Sequence, residues 1–488
     1  MEDCEVNIKK DRWKYFFRQL LIASGAWNCY FMLGLCMGAP TVFIPQIRKE
    51  ANSTEAVSED MASWIPAILS YGGVPWILIL PYLISVFGRK IPHIIVSVAT
   101  LAGFTTFVFS TTVTHIIISE MLQGLVAASY LTISVVIIIE YASPKYRGMF
   151  LTLKSACFFW GILFANTIGT FFHWKKIGMV GLGCSVYNLV SVFFWPESPY
   201  WLAGKGQIDE CTKAHVWLKG RDEISDKELK SLINSCRYER NTQPQNLYRR
   251  IRLTVKEMLR KQFYKPVLFS VLLTSLYLLS GKLICTVYAI DIIKKMTNSE
   301  STAYTAMLIL DAVTLISMYG GCLVVKVVKR RLMLLTTSSI GVFFLFSISL
   351  YLYLVKLSIV SEYKYLSVSL LTGFSIAIGC GPMILSTSIS GELLPLESRS
   401  ISMCVIAFVF KISYGSFLKV APYLFKTFGL HGTFLSFALS SSVCLILIYL
   451  YLPETKDKNL QEIADCMKGV DAMVEREEEL APVRRNTE

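Results

Sequence analysis

Two short stretches set a carboxylate and a guanidinium at the same spacing. "EYASPKYRG" carries Glu140 and Arg147, and "GELLPLESRS" carries Glu392 and Arg399, each pair with six residues between. Both stretches follow one apolar run and precede another. A carboxylate and a guanidinium at a membrane–water boundary can form bidentate, charge-assisted bonds. A fully exposed pair is worth little. A partly dehydrated network of such pairs can hold one conformation by about 2–3 kcal/mol and still break when the molecule changes state. Such pairs either clasp the chain in one state or only anchor helix ends and set topology. No nucleophile–base set, phosphate loop or metal-ligand spacing accompanies them, and "GKGQ" (204–207) lacks the Walker spacing. Neither a cofactor nor a resident metal is expected, and an enzyme is not expected.

Other ionisable residues stand inside the apolar runs: Lys282, Asp311 and Lys411. A charge at that depth costs roughly 2.5–3.5 kcal/mol on insertion scales, so it faces a cavity or a partner. Lys282 and Asp311 lie at similar depth on consecutive runs and could pair. Two readings of the lysines stay open. In one they pair or reach water and matter for packing. In the other they line a cavity and favour an anionic solute. Lys154, near the end of its run, is expected to snorkel. Tyr288 and Trp160 either line the same cavity or pack.

These residues need elements to hold them, and composition names the kind. Of 488 residues, 53% are hydrophobic and 17% charged, and the mean hydropathy is +0.50. That is too oily for an ordinary soluble domain. A bilayer-crossing helix needs about 20 apolar residues. The sequence predicts such spans near 19–41, 62–86, 92–112, 115–139, 149–172, 177–195, 265–289, 303–326, 332–355, 365–389, 401–424 and 431–452. No cleavable signal peptide is expected, because the first apolar run is too long for one. Thirteen cysteines are scattered through the chain without disulfide or zinc spacing. The net charge of +13 points to no nucleic acid; in a membrane protein, excess Lys and Arg orient the loops. Basic residues at the amino terminus, at Arg89–Lys90 and at 329–331 fall on one side of a twelve-span topology. That side is expected to be cytosolic, with both termini, and the sequon at Asn52 then lies outside as a glycosylation candidate.

The motifs repeat. "FGRK" (87–90) answers "VKRR" (328–331), the two Glu–Arg stretches answer each other, and "PESPYWL" (196–202) answers "PETKDKNL" (453–460). Three pairs in register indicate a duplicated six-helix unit, the parallel-repeat plan of a two-bundle carrier with its solute site near midplane. The fold class expected is an all-α membrane protein of twelve transmembrane helices in two six-helix pseudo-repeats. Its parts are a cytosolic amino terminus (1–18), a first bundle (19–195), a cytosolic central loop with amphipathic helices (196–264), a second bundle (265–452) and an acidic cytosolic tail (453–488).

These motifs resemble the sugar porter family of the major facilitator superfamily, over nearly the whole chain. "SWIPAILSYGG" (63–73) and the layout look most like insect facilitated trehalose and hexose transporters. The resemblance implies a plasma-membrane carrier of a sugar, passive, working by rocking-bundle alternating access, with the solute and the lipid bilayer as its partners. It implies gating roles for Arg89, Glu140, Arg147, Arg330, Arg331, Glu392 and Arg399, as clasps that latch the bundles when the carrier is open outward. It also marks the solute cavity, and there this chain departs. The family's fifth-span glutamine matches Ser155, and its eighth-span asparagine matches Thr314. The seventh-span glutamines match Tyr277 and Leu278, with Lys282 beside Leu283 at the asparagine position. The eleventh-span asparagine–tryptophan pair matches Phe410 and Lys411. The acidic partner before the second-span "GR" is Ser85, and the fourth-span arginine is Glu120. Losing hydroxyl-binding amides argues that glucose is not held in the usual way. Alternatives are a carrier of another small organic, even anionic, solute, or a transport-deficient sensor on the same fold.

Overall fold

The computed structural model describes residues 2–51, 54–242, 261–394 and 399–452. Among the described residues the regular elements are helices, with no strand. Twelve are long and apolar enough to cross a membrane. Spans 1–6 are Trp13–Glu50, Glu59–Phe87, Lys90–Val108, Val113–Tyr141, Tyr146–Phe171 and Lys175–Phe194. Spans 7–12 are Phe263–Val287, Glu300–Val325, Arg330–Lys356, Lys364–Leu393, Ile401–Thr427 and Gly429–Tyr451. The expected spans therefore stand, with their ends shifted by a few residues in either direction, and span 1 extended the most. Span 1 outruns its apolar stretch at both ends because its polar turns still satisfy their own backbone groups by helical bonding. Asn52 lies outside the described residues, as do 243–260 and the tail from 453.

Three spans are broken near their middles, and each break has a local cause. In span 4 the helix stops at Ser129 and restarts at Ile133. Ser129 and Thr132 turn their hydroxyls onto the Val126 and Ala128 carbonyls, which competes with the backbone ladder. In span 7 the helix ends at Leu279 and resumes at Lys282. Gly281 makes that turn at φ +74°, and a Cβ there would sit 2.3 Å from the Phe437 ring, so glycine is needed twice over. In span 10 the break falls at Gly381–Pro382, where proline supplies no donor. Broken helices expose backbone groups in mid-membrane, which is tolerable only where protein or a water-filled cavity surrounds them.

The chain divides into two compact units. The first holds residues 1–245, 284–312 and 411–423, and the second holds 246–283, 313–410 and 424–488. In the first, span 1 packs along span 5, span 2 along span 4, and span 3 against spans 4 and 6. Gly34 and Gly161 let spans 1 and 5 touch backbone to backbone: a Cβ on either would lie 2.9 Å from the other's Cα. In the second, span 9 packs against spans 10 and 12, the equivalent of span 3 against spans 4 and 6. Its core gathers Leu273, Leu276, Leu334, Leu385, Ile389 and Ile448. Three short helices, Pro199–Lys205, Ile208–Lys219 and Glu223–Thr242, close on a small apolar core around Leu202, Cys211 and Leu229. The amphipathic helix expected at 222–235 is the last of them.

Candidate functional site

One clasp forms in each unit, at corresponding places. In the first, Arg89 donates Nε to Glu140 Oε2 at 2.7 Å and Nη2 to Glu140 Oε1. Both side chains are about nine-tenths buried (11% and 10% exposed). Ser198 Oγ donates to the same carboxylate at 2.5 Å. In the second, Arg330 donates Nη1 to Glu392, at 25% and 26% exposure. The loop arginine thus meets the glutamate that ends the next span but one, in both halves. A bidentate, dehydrated pair of this kind is costly to break by removing one partner.

The remaining clasp candidates behave differently. Arg147 does not join Glu140; its Nη2 reaches only the Ala142 carbonyl at 3.5 Å, and its buried Nε has no partner among the described residues. Arg331 donates to the Tyr449 carbonyl at 2.6 Å and stands 6.0 Å from that ring. Arg399 opens span 11, and its side chain lies outside the described residues.

Glu197 was legible in the sequence only as part of a repeat marker, yet it organises this end of the first unit. Its carboxylate accepts from the backbone N–H groups of Arg89 (2.8 Å), Lys90 (3.2 Å) and Ser198 (2.8 Å). It thereby caps span 3, where free N–H groups and the helix dipole favour an anion. Arg18 and Gln19 at the start of span 1 donate to the carbonyls of Trp217 and Leu218, so the amino-terminal end, the clasp and the three short helices share one end of this unit.

At the other end, spans 2 and 11 are tied. Lys419 Nζ bonds Asp60 Oδ1 and Ser63 Oγ at 3.0 Å, and lies 4.3 Å from the Trp64 ring centroid. Tyr423 donates to Asp60 at 2.8 Å. Thr41 donates to the Val287 carbonyl at 2.8 Å, and Tyr288 donates to the Leu418 carbonyl at 2.9 Å. Of the cavity candidates, then, Tyr288 is buried and committed to a helix carbonyl.

The other cavity candidates fall into two groups. In the second unit Lys282 donates to Thr314 Oγ1 at 2.9 Å and Ser375 Oγ at 3.0 Å, buried, just past the break in span 7. Tyr277, one turn earlier, accepts from Ser280 at its carbonyl. In the first unit Lys411 Nζ stands 5.1 Å from the Tyr130 ring centroid, and Ser70 donates to the Lys411 carbonyl at 2.9 Å. Asp311 accepts from Asn166 at 2.5 Å. Ser155 is half-buried on span 5. Sequence reasoning missed Tyr30, Tyr130, Asn166 and Ser375. Tyr130 sits in the break of span 4, and a serine–threonine pair flanking an aromatic was the one signal available for it.

A sequence profile described as "Sugar (and other) transporter" matches residues 23–466. The facilitated trehalose transporter Tret1 of Apis mellifera ligustica is 25% identical over 464 residues, covering 94% of this chain and 89% of that protein. A protein of the same name from Drosophila erecta is also 25% identical over 419 residues, but the chain spans 47% of its length. Among solved structures, an inward-open conformation of the xylose transporter XylE from E. coli superposes with a TM-score of 0.73 at 13% identity, over 91% of this chain and 99% of that one. XylE is described as a major facilitator superfamily proton:xylose symporter. The fold is the twelve-helix major facilitator fold, and the protein is a multi-pass membrane protein.

Proposed function

The chain belongs to the sugar (and other) transporter family, and from that premise we propose that it carries trehalose or a hexose across the plasma membrane by alternating access, without a coupled ion. It is a transporter and not an enzyme. The observation that carries the mechanism is the pair of matched clasps, Arg89–Glu140 and Arg330–Glu392. Ion pairs repeated at corresponding sites of two halves suit a device whose halves rearrange together. Arg147, Arg331 and Arg399 belong to the same gating set. The end bearing the clasps is cytosolic: it gathers the basic loops and the helices between residues 199 and 242. The Asp60–Lys419 tie then closes the outer end. The solute meets polar atoms offered by Ser155, Asp311 and Lys411 in the first unit and by Tyr277, Lys282 and Thr314 in the second.

Uptake of labelled trehalose and glucose into a low-background cell, with surface delivery confirmed, tests the reading. Saturable flux that runs down either gradient without a proton gradient supports it. Flux that collapses with the proton gradient would replace the facilitative part, and no flux of any sugar would remove the rest.

A further inference from the structure

Two lysines in the first unit stand over two tyrosines that touch each other. Lys411 Nζ is 5.1 Å from the Tyr130 ring centroid, and Lys154 Nζ is 5.4 Å from that of Tyr30. The two rings meet edge to face, with centroids 5.6 Å apart at 84°. Tyr30 donates its hydroxyl to the Tyr130 carbonyl at 2.6 Å, a carbonyl freed by the break in span 4. The Tyr30 ring is therefore fixed from both sides. The Tyr130 hydroxyl has no hydrogen-bond partner among the described residues, and Tyr130 is half-buried rather than sealed.

Neither lysine meets a carboxylate among the described residues. The ion pairs of this unit lie elsewhere, and the buried carboxyl of Glu120 has no hydrogen-bond partner among the described residues. Lys411 is only 3% exposed. Lys154 is half-buried, and its Nζ lies over the buried Tyr30 ring of span 1. Two lysine ammonium groups gathered about one aromatic pair on membrane-spanning helices, with no carboxylate partner among the described residues, are stabilised in part by the ring faces and remain short of an anion. The aromatic faces suit the apolar faces of a sugar ring, and the free Tyr130 hydroxyl suits a sugar hydroxyl.

We propose that Tyr30, Tyr130, Lys154 and Lys411 form a subsite for an anionic sugar, a hexose or disaccharide bearing a carboxylate or phosphate. The proposal rests on the sugar-carrier reading above and narrows its solute. The lysines hold the anion by charge-assisted bonds, and the rings hold the sugar face.

The test is uptake of labelled glucuronate, glucose 6-phosphate, glucose and trehalose by the full chain, beside thermal shift of the purified protein with the same four compounds. At least one anion is expected to be taken up saturably and preferred over glucose by about tenfold, a difference of about 1.4 kcal/mol. K154Q and K411Q are each expected to reduce that preference about tenfold, while K154R and K411R keep most of it. Preference for glucuronate identifies the carboxylate, and preference for glucose 6-phosphate the phosphate. A thermal shift with an anion, lost in K411Q, supports the subsite even where flux is low. Saturable glucose or trehalose flux without anion flux or shift would overturn the proposal and leave the sugar carrier standing. So would glutamine variants with unchanged selectivity. Absence of flux and shift with all four compounds would overturn the carrier reading itself.

Discussion

Arg89 shows what a single residue does here. It spends one guanidinium on both oxygens of Glu140, while Glu197 holds its backbone N–H, so side chain and helix end are fixed together. Removing one partner of a pair this dry leaves a stranded charge. R89A is therefore expected to destabilise the purified protein by about 3 kcal/mol, the low end of the range for buried pairs, with R89L/E140L recovering most of it. Thermal unfolding of R89A, and of R89L and E140L beside R89L/E140L, checks this; strict additivity of the two leucine variants would mean the pair is not coupled. His215 gives a second prediction, outside the membrane. Its Nε2 lies 3.0 Å from Ser225 Oγ and 3.1 Å from the Ser225 carbonyl, and burial holds its pKa below the usual histidine range, with Lys219 pushing the same way. The folded form resists a proton that the unfolded form takes up below about pH 6.5. Stability of the short helices is thus full above that pH and falls as pH drops below it. Hydrogen exchange in 208–236, corrected for intrinsic rates, should quicken at pH 5.5 relative to 7.5. The change should shrink in H215Q.

At the scale of elements, the breaks matter most. Gly281 turns span 7 with a positive φ and lies against Phe437. Alanine there meets both backbone strain, of order 1–3 kcal/mol, and a clash of about 1–3 kcal/mol. G281A should lose about 3 kcal/mol or more of stability by these two terms. Adding F437A should relieve the steric part alone; full rescue would show that φ is unimportant. The tie between spans 2 and 11 yields a conformational prediction. Ser70 is 1% exposed, below Asp60 on the same helix. Labelling of S70C by a membrane-impermeant thiol reagent, in a background lacking other reactive thiols, should rise severalfold when K419M loosens the tie. Unchanged labelling would mean that the tie does not govern access from that end.

For the whole molecule, duplication is the organising fact. The packing of span 3 with spans 4 and 6 recurs as span 9 with spans 10 and 12, and the clasp recurs with it. Weakening one clasp should therefore resemble weakening the other. E140Q and E392Q are expected to shift the balance of inward- and outward-open forms in the same direction. Accessibility of reporter cysteines at the two ends would read this, and opposite shifts would end the symmetric view. Arg147, which does not join Glu140, should affect this balance less than Arg89.

Much of this was written in the residues themselves. The number and length of the membrane rods follow from apolar runs of about 20 residues, a local requirement that hydrocarbon imposes on every backbone. The duplication was visible as three motif pairs. The breaks at Gly281 and Gly381–Pro382 fall on residues with special backbone behaviour, but the apolar runs around them read as continuous spans. Which charges meet was not legible. Glu140 and Arg147 share a motif but not a bond, while Arg89, 51 residues away, takes the carboxylate. Likewise Tyr30 finds Tyr130 across 100 residues. A helix apolar on every side carries no stripe to say which face turns inward. Rotation and pairing are fixed only when all the rods pack together.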